Sequence, residues 1–242
     1  MAFIFLGNAQ INKIIQSGFW ANLEGTMDRE YLHMSLFLEE PNNKIIGSFC
    51  KAKEDRVFPL EGRLISKDSI VFQTIDGTVP QLIFSGNFWE DGKGFYYIRG
   101  IATRGASIET SPFKIQHIQS SFGSAVRKYG EFKQTTEEVE DFMQRTKEAL
   151  LQGDSIFIAN NIRYPITFII NSKKLPIRHP KEFLAHFKDI VSPELRRSLQ
   201  QYHTHHLFSN HSGAMFGNGE IWISAYSPKT GGLGDIKITS IH

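Results

Sequence analysis

The chain has 242 residues, with 27 Lys and Arg against 25 Asp and Glu, a formal net charge of +2. That length holds one large domain or two small ones, each able to bury a core. The balanced charge, with no basic run interleaved with aromatics, excludes a nucleic-acid footprint, and no apolar run is long enough to span a bilayer. The single Cys50 excludes an intrachain disulfide and a zinc–thiolate cluster. It falls in a strand pattern, where an inert buried thiol is expected unless a base lies beside it.

At the N-terminus, Ala2-Phe3-Ile4-Phe5-Leu6 is apolar and Gly7-Asn8-Ala9 offers small residues. An export signal also needs a basic start and ~7–15 apolar residues, and neither is present. The stretch reads either as an apolar lead-in packed on the domain or as the tail of an export signal. The second reading, with a periplasmic location, is carried forward; the alternative is cytoplasmic.

From Ser17 to Gln119 the pattern predicts eight short strands, at Trp20–Thr26, Tyr31–Leu38, Lys44–Lys51, Phe58–Ile65, Ser69–Thr74, Gln81–Phe88, Phe95–Thr103 and Ile108–Ile118. Turn signals such as Glu39-Glu40-Pro41-Asn42-Asn43 and Glu90-Asp91-Gly92-Lys93-Gly94 separate them. Short, evenly spaced strands with no helical period between them predict an antiparallel meander, which removes its edges by closing into a barrel or a sandwich. Phe37, Phe49, Phe72, Phe84, Phe88, Trp89 and Phe95 are the candidates to fill its interior. The alternative is a barrel holding one apolar ligand.

Loop-like residues mark 120–134 as a linker, giving a barrel domain over 1–119 and a second domain over 135–242. Thr135 with Glu138 predicts a capped helix carrying Val139, Phe142, Met143, Thr146, Ala149 and Leu150 on one face, and Gly153 stops it. A short helix over Asp154–Asn160 follows, then strands Ile166–Ile170 and Leu175–Arg178. A helix over Pro180–Val191 comes next, and another opens at Ser192-Pro193 with Ser as N-cap. Strands over Gly213–Tyr226 and Asp235–His242 end the chain. Gly217-Asn218-Gly219 inside the first of them predicts a tight hairpin turn or a bulge that would re-aim Glu220 and Trp222 toward a concavity. The second half therefore reads as α+β.

Two resemblances add to this pattern. Gly18-Phe19-Trp20 resembles the Gly-X-Trp signature of lipocalin-like barrels, which implies that Trp20 plugs one barrel end. Residues from Phe142 to His242 resemble bacterial envelope proteins with a nuclear-transport-factor-two-like, or cystatin-like, domain. Tyr164-Pro165-Ile166, Phe183-Leu184, Leu207-Phe208 and the run from Gly213 to Trp222 carry that likeness. It implies a curved sheet packed on helices as a cone with a pocket. That cone hosts isomerases and dehydratases as well as non-catalytic binding modules, so the fold does not choose among them.

Several side chains are candidates for chemistry. His203, His205 and His206, with His211 nearby, form a cluster, and His203 and His206 would share a face on a continuing helix. No acid lies between Glu194 and His211, so no metal is expected, and the alternative is a helix C-terminus favourable to His. Glu220, Tyr164 and His186 could supply acid–base chemistry in a cone, as in an isomerase or hydrolase, provided Phe157, Phe168 and Phe216 do not fill it. Trp222 is expected in the core. No cofactor motif is present. The preferred reading is a non-catalytic binding protein, such as an immunity protein occluding an antibacterial toxin. Trp89, Tyr96, Arg99, Arg104 and the His203–His211 loop are the candidate anchors.

Overall fold

The structure, a computed structural model, describes residues 11–51, 56–77, 81–105, 107, 109–126, 128–170, 173–226 and 235–242. The apolar segment 2–6 with its small-residue sequel, Ile108, the Asn171-Ser172 turn and the Ser227–Gly232 turn lie outside those residues. The chain divides into two compact units, Met1–Lys128 and Tyr129–His242.

In the first unit a one-turn helix, α1 (Ile11–Ile14), precedes eight strands. These are β1 (Phe19–Met27), β2 (Glu30–Glu39), β3 (Lys44–Lys51), β4 (Val57–Ser66), β5 (Ser69–Thr74), β6 (Leu82–Glu90), β7 (Tyr96–Arg104) and β8 (Thr110–Phe122). Each pairs antiparallel with its sequence neighbour, and β8 returns to β1, so the meander closes into a barrel without an edge.

Alternate residues of each strand point inward, and the inward set is rich in phenylalanine. Phe49 of β3 stacks on Phe58 of β4 at 4.8 Å between centroids, and Phe72 of β5 on Phe84 of β6 at 4.9 Å. Phe84 also meets Phe49 at 5.6 Å and Phe113 of β8 at 5.4 Å, both edge-on. β3 and β6 are not neighbours in the wall, nor are β6 and β8, so these rings touch across the barrel's middle. The interior is filled. Gly86 permits this: a Cβ there would lie 3.0 Å from Phe113 Cζ and 2.8 Å from Ile98 Cγ2.

Three of the expected interior residues lie elsewhere. Phe95 is 48% exposed beyond the end of β6, and Trp89 is half-buried on the outer surface. Phe37 is buried but points away from the cluster that holds its neighbours Leu36 and Leu38. Trp20 corrects the lipocalin expectation in the same way. It pairs with Phe37, on the face opposite Ala21 and Leu36, its ring 5.3 Å from that of Phe37. Its Nε1 donates to Ser124 O at 2.9 Å, so it packs outside the wall against the chain leaving β8. Ile14 and Ile15 join the interior cluster instead. Near Trp20 the outer face carries a buried polar chain. Lys128 Nζ donates to Ser35 Oγ at 2.6 Å, Ser35 Oγ to Asn22 Oδ1 at 2.6 Å, and Asn22 Nδ2 to Ser121 Oγ at 3.1 Å. These groups are nearly solvent-free, and such groups persist in a fold when each finds a partner.

Within 120–134, Ser120–Phe122 belongs to β8, while Tyr129 and Phe132 are buried in the second unit's core. Helix α2 (Thr136–Gln152) starts at a full capping box: Thr135 Oγ1 accepts from Glu138 N, and Glu138 Oε2 from Thr135 N. Gly153 closes it in the left-handed conformation, and the buried stripe is the one the spacing predicts. Then follow α3 (Ser155–Asn161), β9 (Ile166–Ile170), β10 (Lys173–Ile177), α4 (Pro180–Ile190) and α5 (Pro193–Leu199, N-cap Ser192). β10 starts and ends earlier than the predicted Leu175–Arg178, because its pairing begins at Lys173 opposite Ile170.

The last strands form a four-stranded antiparallel sheet, β11 (Phe208–Asn210), β12 (Gly213–Phe216), β13 (Ile221–Tyr226) and β14 (Asp235–Ile241). Of the two devices expected at Gly217-Asn218-Gly219 the hairpin turn is the one present, dividing Gly213–Tyr226 into β12 and β13, and β11 is an unpredicted partner of β12. Ala214, Phe216, Ile221, Ile223 and Ile238 of this sheet share one buried cluster with α2–α5 and β9. The whole chain is thus α+β, a closed antiparallel barrel followed by a small unit of helices and short sheets.

Candidate functional site

Strand pairing lays outward residues of β6, β7 and β8 in rows, three of which are Ser85–Ile101–Pro112, Asn87–Arg99–Lys114 and Trp89–Tyr97–Gln116. Their inward neighbours, among them Phe84, Phe88, Ile98, Phe113 and Ile115, are buried in the barrel, which fixes the direction of the rows. The Arg99 guanidinium lies 4.7 Å from the Trp89 ring centroid. Lys114 Nζ lies 5.3 Å from the same ring and 4.1 Å from that of Tyr97. Trp89 and Tyr97 themselves pack at 5.3 Å. Two exposed cations therefore rest on two half-buried rings. Each such contact holds a long side chain in place and contributes ~0.5–1 kcal/mol at an exposed site.

The turn beyond β6 braces the rings. Asp91 accepts from the amides of Lys93 and Phe95, at 3.0 and 3.2 Å, and from Tyr97 OH at 3.2 Å. Partial burial pushes the Asp91 carboxyl up, but these bonds outweigh it and hold it below its usual range. Burial, then the Asp91 charge, raises the Tyr97 hydroxyl. Next to the cations, Ile101 is 49% exposed and Pro112 is exposed. The face therefore offers aromatic, aliphatic and cationic groups side by side, with no carboxylate on its three rows.

Of the sequence-predicted anchors, the structure brings Trp89 and Arg99 together. Tyr96 points the other way: its hydroxyl accepts from Lys13 Nζ at 2.9 Å, and Lys13 also pairs with Glu90 at 3.6 Å, which raises the Lys13 pKa. Arg104 is exposed at the far end of β7, opposite Leu82. Tyr97 and Lys114 were missed. Alternation along β7 points to Tyr97, but Lys114 becomes a neighbour only through the β7–β8 register.

The histidines are not on a helix. α5 ends at Leu199, and His203, His205 and His206 lie in the loop that leads to β11, His206 with φ 55°. Neither the shared helix face nor the helix-terminus reading holds. Glu140 of α2 shapes this loop: its carboxylate accepts from Tyr129 OH at 2.6 Å and His206 N at 3.0 Å and meets His205 Nδ1 at 3.0 Å. His203 Nδ1 lies 3.1 Å from His205 O, and His211 is exposed beyond β11. Among the described residues, no group of three His, Cys, Asp or Glu side chains has metal-binding geometry.

Glu220, Tyr164 and His186 do not converge. Glu220 accepts from Ser198 Oγ of α5 and from Asn218 N of its own hairpin, rather than facing a concavity. Tyr164 OH donates to Ala159 O at 2.9 Å, and burial pushes its pKa up to about 12. His186 faces Asp189 at 3.7 Å on the surface of α4. No hydrogen bond or ion pair joins any two of the three. Phe168 and Phe216 are buried, and Phe157 packs on the same core. Trp222 is not core. It lies half-buried on the sheet face opposite Ile221 and Ile223, its ring 6.1 Å from that of Phe208. A cleft of about 450 Å³ in this unit is lined by Glu138, Asp141, Arg145 and Lys237 among others. Most of its charges are engaged: Asp141 pairs with Arg145 at 2.9 Å, Glu138 caps α2, and Lys237 donates to Asn160 O.

These features define a two-unit α+β protein whose first unit is a closed eight-stranded antiparallel barrel. No protein-family model matches the chain, and no curated protein matches it. Among solved structures it is similar to apo shwanavidin in its P1 and P21 crystal forms, at 13% identity and TM-scores of 0.31 and 0.30. Each match covers 42% of this chain and 93% of that one. The fold assignment rests on the strand pairing. No helix among the described residues is long and apolar enough to cross a membrane.

Proposed function

We propose that the protein is a non-catalytic binding protein that inhibits another protein by covering its working surface. The observation that carries this is the ordered outer face of β6–β8, where Arg99 and Lys114 are seated on Trp89 and Tyr97 beside exposed Ile101. Trp, Tyr and Arg dominate the energetic centres of protein interfaces, and anchors already held in position lose less conformational freedom on binding. Chemistry elsewhere has weaker support, since Glu220, Tyr164 and His186 serve separate neighbours and the barrel interior is occupied by rings. The specific form of the proposal is an exported immunity protein neutralising an antibacterial toxin. Its support is the resemblance of the second half to cystatin-like domains of bacterial envelope proteins. The test is a pull-down with the tagged full chain from an extract of its own source cells, including the products of neighbouring genes. One partner retained in equimolar amount at moderate salt, and inactivated by the complex, is the expected result. Failure to retain any protein in stoichiometric amount would overturn the reading.

A further inference from the structure

From this face we infer the chemistry of its partner: an acidic protein surface whose carboxylates flank an aromatic or aliphatic side chain. The inference rests on the binding reading above and specifies what binds. Across these three outward rows of β6–β8 stand two cations and no carboxylate. In the adjoining turn the Asp91 carboxylate is engaged by two amides and the Tyr97 hydroxyl. Arg99 and Lys114 are exposed, and their charged heads are seated over the Trp89 and Tyr97 rings. A guanidinium so placed can present two parallel N–H donors to one carboxylate. Ile101 and Pro112, in the row alongside, supply an apolar contact that a purely electrostatic site would lack. Charge complementarity of this kind sets orientation and association rate, and it weakens with salt.

The probe is a random glutamate–tyrosine copolymer, titrated into the full chain and followed by NMR or by tryptophan fluorescence. Polyglutamate and duplex DNA are run in parallel at the same ionic strength. The copolymer should bind more tightly than polyglutamate, and its affinity should fall about tenfold between roughly 50 and 300 mM salt. Arg99→Glu with Lys114→Glu should weaken it at least about tenfold. The control, Lys173→Glu with Lys174→Glu on exposed positions of β10, makes the same change in net charge and should leave binding within about twofold. Equal losses in both double variants would overturn the proposal, because net charge alone would explain binding. So would no copolymer binding, or tighter binding of DNA through the same residues. The two readings fail separately. A native partner captured stoichiometrically and unaffected by the Arg99 and Lys114 reversals refutes this inference and leaves the binding function standing. Absence of any captured partner refutes the function itself.

Discussion

Replacing Phe84 with alanine tests whether the barrel is a packed core or a container. Phe84 is fully buried and touches three other rings, Phe72 at 4.9 Å, Phe113 at 5.4 Å and Phe49 at 5.6 Å. Truncation removes the transfer free energy of a buried phenyl group and leaves a cavity that closed walls cannot collapse to fill, which together cost ~3–5 kcal/mol. Each lost ring pair adds ~0.5–1.5 kcal/mol beyond area, so the expected loss lies in the upper half of that range, about 4 kcal/mol. For a barrel of this size that lowers the midpoint by roughly 15–20 °C. Phe95→Ala, at a residue 48% exposed, should cost less than about 1 kcal/mol. Urea unfolding in a Trp222→Phe background provides the assay, because the remaining Trp20 and Trp89 both belong to the barrel unit. A loss below about 1.5 kcal/mol for Phe84→Ala, or equal losses at the two positions, would refute a ring-filled interior.

Two further outcomes follow from local geometry. Burial, opposed by a backbone bond at Gln119, holds the His117 imidazole below its ordinary 6.5. The unfolded chain therefore binds that proton more tightly, so barrel stability is complete above about pH 6.5 and declines as the pH falls below it, until the folded-state pKa is passed. His117→Asn should flatten this decline in unfolding curves taken across the acid range; an unchanged slope would exclude His117 as its source. Gly217 sits at φ 64°, and a Cβ there would lie 2.2 Å from Glu220 Oε2, displacing the carboxylate that holds the hairpin. Gly217→Ala should cost about 1–2 kcal/mol in the second unit, read by Trp222 fluorescence, and a neutral result would mean that the turn relaxes freely.

The sequence was legible where one period dominates. Eight apolar–polar alternations with turn residues between them define the strands, because a meander needs only local turns to bring its strands together. The α2 stripe and its caps were legible for the same reason, since Thr135, Glu138 and Gly153 act on adjacent backbone. What failed depends on residues far apart in the chain. The direction of Trp20 is set by its pairing with Phe37 and by a bond to Ser124, neither visible in Gly18-Phe19-Trp20. The His203–His206 loop follows Glu140 of α2, more than sixty residues away in sequence. β11 has only three residues, too few to show alternation, and gains its identity from β12. The cationic face was half legible: Trp89 and Arg99 stand on sequential strands, but Lys114 joins them only after β7 and β8 are set in register.

That register explains why the rings and cations of the proposed binding face stand on the outer wall and not in the interior. A closed sheet has two faces and no edge, so it can meet a partner only through a cavity or through its outside. Phe49, Phe72, Phe84 and Phe113 occupy the inside. The same strict alternation that sends Phe84, Ile98 and Phe113 inward turns Trp89, Tyr97, Arg99 and Lys114 outward, with Tyr97 and Arg99 two residues apart on β7, Trp89 opposite Tyr97 and Lys114 opposite Arg99. A rigid, ring-packed core therefore fixes the spacing of the exposed cations. Loosening that core should blur the face even where every residue on it is unchanged. Phe84→Ala accordingly predicts weaker copolymer binding as well as lower stability. A destabilised barrel that still bound at full strength would separate the face from the core beneath it.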